Sequence, residues 1–218
     1  MERNPDGVKA KRRYDSARRR QQALQTRHAI VGAARQRFLR SGFATTTIAA
    51  IAADVGVSVD TVYKTFGGKP GIVRAICEEA LAGDGPVPAE TRSDALQATA
   101  DDPRAIVRGW GALTAEVAPR VAPILLLIRD AAAADPEMSR LQAEMDDQRL
   151  DRMMHNATNL ADGGHLRSDV TVDHAAQVLW IYSSPQLYEL LVIMRGWTLD
   201  RYADFVADAI IAALLPRE

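Results

Sequence analysis

The sequence predicts an all-α protein: an amino-terminal three-helix head with a helix-turn-helix arrangement, followed by a larger helical bundle. Three observations carry this. Apolar residues recur three and four apart through most of the chain, no stretch alternates as a half-buried strand would, and glycine and proline fall where helices should end. With 218 residues, 47% of them hydrophobic, the chain can bury one large core or a small domain beside a medium one.

Residues 1–15 read as a flexible basic arm, because Lys9, Lys11, Arg12 and Arg13 come with too little apolar surface to offset the entropy of ordering. Asp15 or Ser16 caps a first helix that continues to Arg40, buries Ile30, Ala33, Ala34 and Phe38, and ends at Ser41-Gly42. A second helix buries Ile48, Ile51, Ala52 and Val55, with Thr46 or Thr47 supplying the capping oxygen. Gly56 turns the chain, since glycine takes positive φ without a Cβ clash, and Ser58 caps the third helix. Val62 and Phe66 face the core from it, which leaves Val59, Asp60, Thr61, Tyr63 and Lys64 outward. Gly67-Gly68 ends that helix, and Lys69-Pro70 opens a fourth one to about Leu81, where Cys77 reads as a small buried side chain. Gly83-Asp84-Gly85-Pro86-Val87-Pro88 reads as a boundary, dividing a head of residues 16–83 from a second domain of residues 84–218.

In the second domain Ala95–Ala100 is open between a helical turn and a loop. Pro103–Val117 forms an amphipathic helix through Ile106, Val107, Trp110, Leu113 and Val117, and Pro119 and Pro123 punctuate the next, which runs to about Ala134. Pro136 starts a long helix to about Ala161. Asp173 caps another through Tyr182, Ser184-Pro185 restarts it, and Thr198 caps the last, whose stripe includes Tyr202, Val206, Ile210 and Leu214.

Two short helices around a tight turn, the second polar and outward, form a unit suited to a DNA groove. Charge agrees: residues 1–83 hold 15 basic and 7 acidic side chains, a net +8, whereas residues 84–218 hold 12 and 21, a net −9. The basic half attracts any duplex by counterion release and the acidic half is repelled, so the molecule is oriented before sequence is read. The longest apolar run, Val121–Ile128, is far shorter than the about 20 residues of a bilayer span, and no secretory signal is visible, which points to the cytoplasm. A single cysteine forms no internal disulfide. No glycine-rich phosphate loop, nucleophile elbow or metal-ligand spacing is present among the motifs, and His155, His165 and His174 read as surface or capping residues; the expectation is no catalytic residue, no metal and no cofactor.

Taken in order, Thr46-Thr47, Ile51-Ala52, Val55-Gly56-Val57-Ser58, Thr61-Val62-Tyr63 and Phe66, with Lys69 three residues on, closely resemble the amino-terminal signature of the TetR family of bacterial transcription regulators. The resemblance covers roughly residues 26 to 82. Many members carry glycine where this chain has Asp60. The resemblance implies a DNA-binding set of Thr46, Thr47, Ser58, Val59, Asp60, Thr61, Tyr63, Lys64 and Lys69, with Thr47, Ser58, Tyr63 and Lys69 on phosphates and Val59, Asp60, Thr61 and Lys64 at base edges. The basic arm either enters an adjacent minor groove or stays a solvated tail. It further implies a homodimer on a double-stranded, pseudo-palindromic operator, formed by pairing the final helices of two subunits, whose apolar surface exceeds what one domain covers; a monomer closing its own core is the alternative.

The second domain could enclose a site for a small apolar or amphiphilic effector lined by Trp110, Leu113, Ile128, Met145, Trp180 and Tyr188. Arg129 and Arg149 fall on apolar faces, Arg149 four residues from both Met145 and Met153. Each needs a partner, either a ligand carboxylate or an internal acid such as Asp130 or Glu116. The expected function is a sequence-specific transcription regulator, a repressor released by ligand. A ligand-independent activator or architectural DNA protein is the first rival reading, and a small helical enzyme the second.

Overall fold

In the computed structural model, which describes residues 5–83, 85, 87–100 and 102–217 and the side chains among them from Arg18, the first helix, α1, spans Pro5–Ser41. Its start differs from the sequence expectation. Residues 1–4 of the anticipated arm lie outside the described residues, while residues 5–15 continue the helix: proline suits a first helical turn, and the alanine, lysine and arginine that follow are strong helix formers. The next helices are α2 (Ile48–Val55), α3 (Val59–Phe66) and α4 (Lys69–Ala82). Ile30, Ala34, Phe38, Ile51 and Val62 are buried, and the rings of Phe38 and Phe43 stack with centroids 5.7 Å apart.

The chain divides into two compact units, one up to Ile76 and one from Cys77. The division falls within α4, ahead of the Gly83–Pro88 stretch, because Cys77 and Leu81 already face a cavity of the second unit.

That second unit contains α5 (Ala89–Thr99), α6 (Pro103–Ala132), α7 (Pro136–Asp162), α8 (Val172–Tyr182), α9 (Pro185–Tyr188, continuing as a π-helical turn over Glu189–Met194) and α10 (Leu199–Leu214). No strand occurs among the described residues. The segment left open before Asp102 is the helix α5, which packs on α6. Where the sequence reads two helices separated by Pro119 and Pro123, a single 30-residue helix runs through both. Each proline removes one i to i−4 bond, but Val121, Ala122, Ile124 and Ile128 are buried around them, so tertiary packing overrides the local penalty. By length and composition α6 could cross a bilayer, which the short uninterrupted run did not reveal. Its apolar side is covered instead by α5, α7, α9 and α10. Thr171, rather than Asp173, caps α8, its hydroxyl accepting from the His174 N–H; Asp173 lies one residue inside and accepts from Gln177 at 2.9 Å.

Tyr202 of α10 is fully buried and meets Tyr188 edge-on at 5.7 Å. Burial, with Tyr188 adding to it, pushes the Tyr202 phenol up to about 12, so it remains neutral in the core.

Gly111 sets the approach of α6 to α10. A Cβ there would sit 2.6 Å from the Ala203 carbonyl oxygen and 3.0 Å from Ala207 Cβ, whereas one at Gly32 of α1 would meet no heavy atom within 4 Å. Thermal and denaturant unfolding should therefore show Gly111→Ala losing about 1–3 kcal/mol through overpacking. Gly32→Ala should be neutral or gain up to about 1 kcal/mol. A Gly111→Ala protein as stable as wild type would contradict the close α6–α10 contact.

Candidate nucleic-acid interface and effector cavity

The head builds its outward helix from local chemistry. Thr47 caps α2, its hydroxyl accepting from the Ala50 N–H at 3.1 Å. Gly56 follows in the left-handed region at φ 68°, and the Val57 N–H closes the helix end by donating to the Ala52 carbonyl at 3.0 Å. Ser58 then caps α3: its hydroxyl accepts from the Thr61 N–H at 3.1 Å and lies 2.8 Å from the Thr61 hydroxyl. Within α3 only Val62 is fully buried.

The residues expected at DNA separate into two groups. Val59, Asp60, Tyr63 and Lys64 are exposed on α3, Tyr63 to 51%. Asp60 and Lys64 pair across one turn at 2.7 Å, so Lys64 reaches a base edge only by sharing or leaving that carboxylate. The others already carry structural bonds. Thr46 is buried, 4% exposed, and donates to the Gly42 carbonyl at 2.8 Å. The hydroxyls of Thr47, Ser58 and Thr61 serve the two caps. Lys69 donates to the Phe43 carbonyl at 2.7 Å and stands 4.1 Å above the Phe43 ring, where it anchors the loop ahead of α2.

Two contacts of the head were missed in the sequence. Arg37 of α1 grips both carboxylate oxygens of Asp54 on α2, one at 2.6 Å, and this hydrogen bonding holds the Asp54 carboxyl below its usual range. The signal was an acid in the last turn of a helix, where the dipole disfavours it unless a cation is near. The Arg27 guanidinium stands 4.8 Å over the Phe66 ring.

The second unit encloses a cavity of about 250 Å³. Four of the residues expected to contact an effector line it: Trp110, Leu113, Met145 and Arg149. Ile128, Arg129, Trp180 and Tyr188 do not. Ile128 is buried, and Tyr188 is held by Tyr202. Trp180 supports the guanidinium of Arg149 at 4.2 Å from its ring and donates to the Asp146 carbonyl at 3.4 Å. Arg129 is bound by Glu189 through two bonds of 2.7 and 3.3 Å and by Asp130 at 2.9 Å, and the Glu189 bond is the main cause of its raised pKa. Arg149 donates to the Trp180 carbonyl, to the Ser183 hydroxyl at 3.3 Å and to Asp146 at 3.2 Å, while burial lowers its pKa. Both arginines therefore have internal carboxylate partners. Glu116 instead binds Arg92 at 2.7 and 2.8 Å.

Lining residues that sequence reasoning missed include Ser93, Arg152, Asn156 and Tyr182. Arg152 reaches Asp94 at 2.6 Å, and Asn156 accepts from the Gln97 side chain at 3.3 Å. The readable signal was Asn156, a polar residue at helical spacing from Met153 and Leu160 on the inward stripe of α7.

The family model described as bacterial regulatory proteins, tetR family, matches residues 30–76, the segment from α1 through α3 into α4. The chain carries that family's amino-terminal domain in its head. It is a DNA-binding transcription regulator, with a helix-turn-helix head on an all-α fold. The fold recurs over nearly the full length of solved relatives. SmeT, solved as its triclosan complex, is 23% identical over 88% of this chain and 92% of its own, with a TM-score of 0.69. NalD, the secondary repressor of the MexAB-OprM multidrug efflux pump in Pseudomonas aeruginosa, is 20% identical over 91% and 100%, with a TM-score of 0.69. KstR2, a ketosteroid transcriptional regulator of Mycobacterium tuberculosis, is 16% identical over 88% and 95%, with a TM-score of 0.55. At these identities the likeness is one of fold. No curated protein sequence matches the chain.

In this head the bonds of Lys69 give it a structural task besides any phosphate contact. Lys69→Ala should lower the free energy of unfolding by about 1–3 kcal/mol, the range for a charge-assisted bond with a cation–π contact. Denaturant titration of the full chain checks this. Unchanged stability together with weakened DNA binding would mean that Lys69 is free to serve phosphate alone.

Proposed function

We propose that this regulator is a homodimeric repressor that reads a pseudo-palindromic operator through α3 and leaves it when a small apolar or amphiphilic molecule enters the cavity of the second unit. The observation that carries the reading is the division of labour in α3. Val62 is fully buried and Phe66 half-buried, while Val59, Asp60, Tyr63 and Lys64 stay available to a major groove. The basic balance of residues 1–83 supports the approach to phosphate. As a DNA-bound regulator it works in the cytoplasm.

A dimer is favoured by the large apolar side chains left exposed on α8 and the π-helical turn: Ile181, Leu190, Ile193 and Met194, the last 68% exposed. Such a patch is costly to leave in water, and two-fold pairing of this face would bring two reading heads to half-sites about 34–36 Å apart. Ligand control is favoured by the cavity and by SmeT, a protein of the same fold solved with triclosan bound, and repression by NalD, a repressor of the same fold. Arg149 offers a route within the second unit: it lines the cavity and holds the end of α8 through the Trp180 carbonyl and Ser183. A ligand that draws Arg149 away would loosen α8 beside the proposed dimer face. A few kcal/mol of differential affinity between two dimer states changes operator occupancy by tens to hundreds of fold.

Tyr63→Ala combined with Lys64→Ala should weaken binding to an operator isolated from the source genome by about 30-fold or more, since each removes a contact worth about 1–3 kcal/mol. Far-ultraviolet circular dichroism and sedimentation should find the fold and the dimer unchanged. Wild-type affinity should fall steeply with salt, in proportion to the phosphates neutralised. Retained operator binding in the double variant would remove α3 from the role assigned to it.

A further inference from the structure

The effector cavity has a polar character that narrows what it can hold. Two of its lining residues are arginines, Arg149 and Arg152, and a cavity with free guanidinium groups would select anions. Neither guanidinium is without a carboxylate. Arg149 is engaged by Asp146, the Trp180 carbonyl, Ser183 and the Trp180 ring. Arg152 is bound to Asp94 at 2.6 Å and reaches the Glu90 carbonyl at 3.5 Å. An anionic ligand would have to break one of these pairs and leave a carboxylate uncompensated, which is the costly direction. The one further ionic side chain of the wall, Glu90, is exposed, so water solvates it and it does not demand a cation.

The uncharged polar groups point to one kind of partner. The Trp110 indole N–H and the Ser93 hydroxyl are buried with no hydrogen-bond partner, in residues only 6% and 7% exposed. Indole is a donor and never an acceptor. Asn156, 5% exposed, accepts from Gln97 at its side-chain oxygen and keeps its amide N–H groups to donate. The two unpartnered groups among these lining residues can both donate to one acceptor. A buried donor without one is the exception in folded proteins, and it is where a ligand oxygen gains most.

The geometry points to a neutral, largely apolar effector carrying a hydrogen-bond acceptor, a carbonyl or ether oxygen, that is taken by the Trp110 N–H and the Ser93 hydroxyl. This rests on the cavity being the effector site, as proposed above. Both donors are buried, so the wall must give way for a ligand to reach them; Met145 and Met153, unbranched and adaptable, are the lining side chains that can move most cheaply.

A matched series of three-ring probes tests it by calorimetric titration of the full-length protein: fluorene, 9-fluorenone, fluorene-9-carboxylate and 9-aminofluorene as its ammonium ion. 9-Fluorenone should bind at least tenfold more tightly than each of the other three. Trp110→Phe and Ser93→Ala, each checked for unchanged unfolding temperature, should reduce the fluorenone advantage over fluorene at least threefold while leaving fluorene itself within twofold. Equal affinity for fluorenone and fluorene, tightest binding of the carboxylate or the ammonium ion, or an advantage that survives both substitutions would overturn the assignment and leave the effector site standing. Failure of all four probes to bind would overturn the effector-site reading and this assignment with it.

Discussion

The head depends on how an eight-residue helix is held by one fully buried side chain and the caps and contacts at its two ends. A helix as short as α3 does not persist alone in water. Its order is imposed from outside: Val62 is fully buried, Ser58 and Gly56 fix its entry, and Arg27 covers Phe66 at its far end. Because so little of α3 is needed for anchoring, the remainder can vary with the DNA it meets without cost to the fold. The same economy explains why Thr46, Thr47, Ser58 and Thr61 matter through bonds inside the head: they hold the presenting helix in place.

The second unit obeys a different constraint. Its long helices pack around α6, and a cavity remains among them, lined mainly by apolar side chains with a few polar ones. Burying arginines in such a place is tolerable only with carboxylates beside them, and α7 brings its own: Asp146 three residues before Arg149, with Asp94 of α5 meeting Arg152. The outcome is a wall balanced in charge yet rich in donors. On the outer side of the same unit, the π-helical turn after α9 carries Leu190, Ile193 and Met194 into solvent and Glu189 inward to Arg129.

Much of this was legible in the sequence where local chemistry decides the outcome. The Thr47 and Ser58 caps, the Gly56 turn, the buried Val62 and the starts of α7, α9 and α10 follow from rules that act within a few residues. Periodicity failed where distant packing prevails. Pro119 and Pro123 look like breaks, yet burial along α6 carries the helix through them. Arg129 and Arg149 were marked as cations in need of partners, but Glu189 lies sixty residues from the first, and spacing along one helix does not reveal it. Half of the anticipated cavity residues face elsewhere for a related reason: an apolar stripe says that a side chain is inside, and only the assembled bundle says whether it meets a neighbour or a void.

The account stands on α3 as the element that reads DNA in a two-fold arrangement. Selection from random-sequence duplexes by the purified full-length protein at physiological salt tests this most directly. The expected product is an inverted repeat whose half-site centres lie about 10–10.5 base pairs, or a multiple of that, apart. Enrichment of no sequence over the starting pool, or of a lone unsymmetrical site, would contradict it.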